Sequence, residues 1–145
     1  MLQLGHRVNS LADYKYSIGY NSLPLRDHVV DLGVTVGSLL KYSVHINQLV
    51  AKAKRRSGLL FRCFVTQDMN VLRKAFISYI PPLLEYASSI WSPTQGGLID
   101  KVESVQRQFT KRIPALQELS YRDRLSPLNL ESLEHRRLRL DFLNV

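Results

Sequence analysis

The spacing of hydrophobic residues changes near residue 43 and divides the chain into two predicted parts. Residues 14–18 alternate between apolar and polar side chains and are followed by turn-forming residues 19–22, as in one strand of a hairpin. The β-branched, apolar run Val29–Val36 predicts a second, more buried strand, with Gly33 marking a bulge or a close backbone approach. Residues 1–42 are therefore predicted to form a β-hairpin.

From Ser43 onward, apolar residues recur every three or four positions, which is the spacing of an amphipathic helix. Ser43 is the candidate N-cap of the first helix, because serine hydroxyls accept hydrogen bonds from backbone N–H groups at helix starts. The predicted core face of this helix consists of Ile46, Val50, Ala53, Ser57, Leu60 and Phe64.

Four further segments have helical spacing, and prolines separate several of them. A second helix begins near Thr66 or Asp68 and ends at a Pro-Pro pair, and residues 83–91 resume as a helical turn or two. A third helix spans Leu98–Ile113, Ser120 with Asp123 resembles a capping box, and a last helix begins near Leu130. The predicted fold is mainly α, with a short N-terminal β-hairpin and a helical domain over residues 43–145. Because the chain stops at Val145 within a helical pattern, the pattern also indicates a fragment.

The charge is strongly biased, with 20 Lys and Arg against 12 Asp and Glu and a net charge of +8. Such a surplus favours polyanionic partners, although a merely cationic surface would look the same. A single cysteine, Cys63, excludes an internal disulfide and lies in an apolar stretch, so we expect a buried thiol in a reducing compartment. Neither a signal peptide nor a membrane span is visible, which predicts an intracellular protein of the cytoplasm or nucleus with no membrane partner.

No complete catalytic or metal-binding motif is present. The histidines His6, His28, His45 and His135 are far apart and lack partners at metal-ligand spacing, and His45 is expected at the start of the first helix as a polar or half-buried residue. The chain also lacks a phosphate-binding glycine loop, a nucleophile elbow and an adjacent acidic pair for two-metal catalysis. We therefore expect neither cofactor nor metal nor enzymatic activity.

Basic residues on the first helix are the candidate functional feature. They lie where the apolar stripe leaves the other face free, so they can contact successive phosphates, or they can simply solvate that face. The candidate nucleic-acid-binding residues of this helix are Lys52, Lys54, Arg55, Arg56 and Arg62. A second candidate set on the third helix consists of Arg107, Lys111 and Arg112, and a third, less distinctive set, of Arg136, Arg137 and Arg139, has acids nearby.

Aromatic residues near the Pro-Pro pair are a second candidate feature for nucleic-acid binding, because bases stack on aromatic rings. Tyr79, Tyr86 and Trp91 have this position. Aromatic rings beside a helix break are more often packed in a core, and that is the interpretation we favour.

Several strings together resemble the C-terminal part of reverse transcriptases from non-LTR retrotransposons of the jockey-like LINE class. The order and approximate spacing of the strings also agree, and the resemblance extends over nearly the whole chain. The strings that carry it are Val30–Val34, Leu40–Ile46, Pro82–Pro93, Val102–Lys111, Leu119–Leu125 and Leu133–Asp141.

The resemblance implies that residues 1–42 correspond to the end of the polymerase palm and residues 43–145 to the thumb and its continuation. The family's thumb holds the template–primer, so RNA, DNA or an RNA–DNA duplex is the implied partner. The metal-binding aspartates of the family lie upstream of the matching region, and without them two-metal phosphoryl transfer is impossible. The predicted function is therefore a catalytically inactive fragment that binds nucleic acid without sequence preference. The alternatives are a small helical module that binds another protein or itself, or a remnant reading frame with no selected role.

Overall fold

The computed structural model describes Leu2 and residues 16–143, and over this range the protein is mainly helical with short N-terminal β-structure, as predicted. The strands are β1 (Ser17–Ile18), β2 (Asn21–Ser22), β3 (His28–Asp31) and β4 (Val34–Gly37). The helices are α1 (Ser43–Cys63), α2 (Met69–Tyr79), α3 (Pro81–Glu85), α4 (Ser88–Trp91), α5 (Gly96–Lys111), α6 (Tyr121–Leu128) and α7 (Leu133–Leu143), with a 3₁₀ turn at Pro114–Leu116 between α5 and α6.

Over residues 16–143 the four strands form two small hairpins, so the prediction of one hairpin with a strand over Val29–Val36 is wrong. β1 pairs with β2, and β3 pairs separately with β4 in a register that places Asp31 opposite Val34. Leu32 and Gly33 form the turn, with φ angles of 45° and 83°. Positive φ at both central residues is the geometry of a two-residue hairpin turn, so Gly33 is a turn residue and not a bulge. Tyr14 and Lys15 of the predicted first strand lie outside the described residues.

The chain divides into two compact units, Met1–His45 and Ile46–Val145. Within the first unit, the imidazole of His45 is buried, with 6% of its surface exposed, and its Nδ1 accepts a hydrogen bond of 3.2 Å from the backbone N–H of Thr35 in β4. Burial lowers the pKa of His45 from its ordinary value of 6.5, because the low-dielectric surroundings disfavour the charged ring.

This geometry predicts that acid weakens the attachment of β4 to His45. A histidine with a lowered folded-state pKa contributes stability above pH 6.5 that is lost as the pH falls through the folded-state value. We expect hydrogen exchange at the Thr35 amide, corrected for its intrinsic rate, to accelerate from pH 7.5 to pH 5. The variant His45→Gln should remove most of this pH dependence, whereas His135→Gln, on the exposed side of α7, should not. Protection at Thr35 that is constant over this range would contradict the prediction.

The second unit is built from the apolar faces of its helices. The predicted α1 positions Ile46, Val50, Ala53, Ser57 and Leu60 are all buried, and Phe64 follows the helix as a half-buried residue. Three rings meet at the centre: the centroid of Phe109 lies 4.8 Å from that of Phe61 and 4.6 Å from that of Phe76. Such tilted contacts between aromatic rings join α1, α2 and α5 in a single core.

Two predicted helix starts are confirmed by their caps. The Asp68 Oδ1 atom accepts a bond of 2.8 Å from the Asn70 N–H at the start of α2, and the Ser120 hydroxyl accepts from the Asp123 N–H at the start of α6. Ser43, in contrast, is the first residue of α1 and not a residue preceding it. The last helix begins at Leu133, later than the predicted start near Leu130.

Two predictions of burial are wrong. Cys63 is exposed at the end of α1, because position 63 falls outside the apolar stripe of that helix. Of the three aromatic residues near the Pro-Pro pair, Trp91 is buried as expected, with its indole N–H donating to the Tyr86 carbonyl at 2.8 Å. Tyr79 and Tyr86 are 51% and 59% exposed, since the helices end beside them.

Candidate nucleic-acid interface

α1 and α5 lie side by side and run in the same direction. Near their starts, the Lys101 ammonium donates a hydrogen bond of 3.0 Å to the Asn47 side-chain oxygen. Near their ends, the Arg112 guanidinium stacks 4.2 Å above the centroid of the Phe61 ring. Because α1 and α5 contact each other both near their N-terminal ends and near their C-terminal ends, they are parallel. The exposed side chains that flank the line of contact therefore form one continuous surface.

Residues of α1 at seven-residue spacing follow this contact line. Asn47 and Phe61 both contact α5, and Lys54 lies midway between them, two helical turns from each. Residues separated by two turns share a helix face, so the half-buried Lys54 projects toward the α5 side. Arg55 and Arg62 are exposed, and they are also related by seven positions, which places them together on the adjoining outward face of α1.

We call the resulting feature the basic surface, and it draws its members from both helices. It carries no carboxylate of its own, since α1 has no acidic residue along its whole length and Asp100 of α5 lies beside Arg107, outside the basic surface. None of the ion pairs found over residues 16–143 involves any of its bases. The members of the basic surface are Lys54, Arg55, Arg62, Lys101 and Arg112.

The acids of α5 are directed away from the basic surface. Glu103 is 7% exposed and accepts hydrogen bonds from the Tyr121 hydroxyl and from the backbone N–H of Glu134. Burial and the neighbouring Glu103 carboxylate together raise the pKa of Tyr121, which therefore stays a hydrogen-bond donor. Gln106 extends this network by donating to the Glu131 carbonyl at 2.8 Å. The network attaches α5 to α6 and α7 on the side opposite α1.

Four predicted binding residues lie elsewhere. Lys52 and Arg56 occupy the other flank of α1, and the Arg56 guanidinium donates to the Tyr79 carbonyl of α2 at 3.2 Å. Arg107 lies on the far side of α5, 3.9 Å from the Asp100 carboxylate and with its guanidinium 5.2 Å from the centroid of the Tyr121 ring. The exposed Lys111 lies one helical turn beyond Arg107 on the same face of α5. The structure therefore divides the predicted second set, since Arg112 joins the basic surface and Arg107 and Lys111 do not.

The arginines of α7 are engaged within the fold. Arg136 pairs with Glu85, and Arg139 pairs with Glu131 at 2.9 Å. Arg137 is 4% exposed, and burial lowers its pKa while the neighbouring Glu103 carboxylate opposes that shift. These interactions agree with the expectation that acids accompany this third basic set.

Lys101 is the member of the basic surface that the sequence did not single out. Its 54-residue separation from Asn47 leaves no local signal, because the contact depends on how α5 packs against α1. Its helix also contains Asp100 and Glu103, so its charge looks compensated in the sequence.

No grouping of three or more His, Cys, Asp or Glu side chains suited to a metal ion occurs among the residues that the structure describes. His6, one of the four histidines considered, lies outside them. Over the same part of the chain, no helix is both long and apolar enough to cross a membrane.

Comparisons with known proteins give one informative match. A Caenorhabditis elegans protein described as uncharacterized is 28% identical over 113 residues, which cover 76% of this chain and 57% of that protein. The chain thus matches little more than half the length of this relative. No family model and no solved structure matches the chain.

Proposed function

We propose that the protein binds RNA or DNA without sequence preference through the basic surface, and that it does so without catalysing a reaction. The observation that carries the proposal is the alignment of α1 and α5, which gathers five bases on one surface without a paired carboxylate. The resemblance of the sequence to the thumb of non-LTR reverse transcriptases supports the same partner, since that thumb holds a template–primer.

The chemistry of the basic surface suits a phosphate backbone better than base edges. Lys101 and Arg112 are separated by eleven positions on α5, so the basic side chains extend over about 16 Å of helix. Exposed Lys and Arg side chains on such a surface contact phosphates and release counterions, which adds affinity without reading sequence. The Arg112 guanidinium lies over the Phe61 ring, and this contact restrains the side chain while leaving its charge available.

A second candidate function is protein binding or self-association, and exposed apolar residues on α7 favour it. Leu138 and Phe142 are 50% and 81% exposed and lie one helical turn apart, so they form a small apolar patch. Apolar contacts of this kind respond weakly to salt, which separates the two candidates experimentally.

Salt dependence is the first test of nucleic-acid binding. Five phosphate contacts predict a slope of about −4.5 for the logarithm of the association constant against the logarithm of salt concentration on duplex DNA. Affinity should then fall roughly 500-fold between 50 and 200 mM salt. Fluorescence anisotropy with two unrelated sequences of equal length should give the same constants. Binding that is insensitive to salt, or that strongly prefers one sequence, would contradict the proposal.

A further inference from the structure

Apart from the basic surface, the second unit contains a cavity of about 240 Å³ lined by three arginines. Arg73 comes from α2, and Arg136 and Arg139 come from α7. The apolar part of the wall includes Phe76, which is fully buried, together with Ile77 and Pro81. None of the five bases of the basic surface lines this cavity.

Each arginine is held in place by one protein partner. The Arg73 Nε donates to the Leu128 carbonyl, Arg136 binds Glu85 through Nε and Nη2, and the Arg139 Nη1 donates to Glu131. Since a guanidinium has five N–H donors, these contacts fix the three groups and leave other donors available at each. In the described part of the chain, no protein acceptor is found for the two terminal nitrogens of Arg73.

The charges around the cavity do not cancel. Glu85 and Glu131 compensate Arg136 and Arg139, whereas Arg73 is held by a neutral carbonyl. One positive charge therefore remains, on a half-buried side chain. The apolar wall excludes water on one side and strengthens the attraction of this charge for an anion.

We propose that this cavity is a binding site for a compact phosphate group, with Arg73 as its central ligand. Guanidinium groups pair with phosphate oxygens in a fork geometry, and three of them around one cavity match a tetrahedral anion better than a planar carboxylate. The volume corresponds to about eight water molecules. It admits inorganic phosphate, a small phosphomonoester or the terminal phosphate of a nucleic-acid strand, but not a base-paired duplex.

Titration of the full chain with inorganic phosphate, followed by NMR at constant ionic strength, tests the site. Backbone amides of residues 76, 129 and 130 should shift and saturate with phosphate, and they should not do so with chloride. Arg73→Gln should weaken phosphate binding at least tenfold. The control Lys74→Gln removes the adjacent exposed charge, which does not line the cavity, and should leave binding unchanged.

Arg73 also bonds to Leu128, so Arg73→Gln carries a risk of disturbing the fold. Arg139→Gln avoids that risk, because its side chain is 53% exposed, and we expect it to weaken binding at least threefold. Ribose 5-phosphate and oligonucleotides with or without a 5′-phosphate identify the source of the phosphate, and preference for either phosphorylated probe supports the site. Shifts that do not saturate, that chloride reproduces, or that survive both arginine substitutions would overturn the proposal.

Discussion

Replacing Lys54, Arg55 and Lys101 with glutamine is expected to weaken binding to any RNA or DNA on the order of 50-fold at physiological salt. The three side chains come from both helices of the basic surface, so the variant removes charge along its length. Each lost phosphate contact should also reduce the steepness of the salt dependence by about one unit of slope. Anisotropy titrations at four or more salt concentrations measure both quantities.

The matched control replaces Lys41, Lys74 and Arg122, three exposed bases outside the basic surface, with glutamine. This control variant has the same net charge as the first variant. A difference in affinity between the two variants therefore depends on where the charges were removed and not on the overall charge. Both variants should keep their helical circular dichroism, because five of the six side chains are exposed and glutamine at the half-buried position 54 retains part of the aliphatic stem. Substitutions on the surface usually change stability by about 0.5 kcal/mol or less. Equal losses of affinity in the two variants would show that attraction is diffuse and that no defined surface exists.

Substituting Phe109 with alanine is expected to destabilise the protein by about 3–5 kcal/mol. Its ring is 1% exposed and contacts the rings of Phe61 and Phe76, so truncation leaves a cavity where α1, α2 and α5 meet. Since domains of this size are commonly stable by about 5–15 kcal/mol, this loss would remove much of the total. Urea unfolding monitored by circular dichroism measures the change in the free energy of unfolding.

The control for this substitution is Phe142→Ala, which removes a ring that is 81% exposed at the end of α7. We expect a change within about 0.5 kcal/mol for that variant. A loss of less than about 1 kcal/mol in Phe109→Ala would mean that the three rings are not the centre of the core.

Features fixed by nearby residues were predictable from the sequence. The buried face of α1 follows from apolar spacing alone, and the caps at Asp68 and Ser120 involve neighbours two or three residues away. The general fold class follows from the spacing of apolar residues, which changes near residue 43 from every second position, as in a strand, to every third or fourth, as in a helix. Each of these features depends only on residues that are close to one another in the sequence.

The hairpin at β3–β4 illustrates an ambiguity that pattern alone could not resolve. An apolar, β-branched run predicts a buried strand, but the same run can fold back on itself where a turn is available. Leu32 carries a positive φ, which is uncommon for such a residue, so only Gly33 signalled the turn. A glycine within a strand pattern is equally compatible with a bulge, which explains the wrong prediction.

Long-range packing decided the composition of the candidate site. Arg107 and Arg112 belong to one helix and to one predicted set, yet Arg107 lies beside Tyr121 and Arg112 beside Phe61. Glu103 is buried by contacts with α6 and α7, which no local pattern in the sequence indicates. These placements depend on which helix packs against each face, and that information is not local.

The shared direction of α1 and α5 also gives the basic surface an electrical polarity. Peptide dipoles place about half a positive elementary charge at the start of each helix and half a negative charge at its end. Since both helices end near Phe61, the two negative ends add there, and Arg62 and Arg112 lie beside them. The two positive helix starts lie at the other end of the surface, where Lys101 contacts Asn47. This polarity opposes the uneven distribution of the bases, so positive potential is expected along the whole surface and an approaching polyanion meets it at both ends.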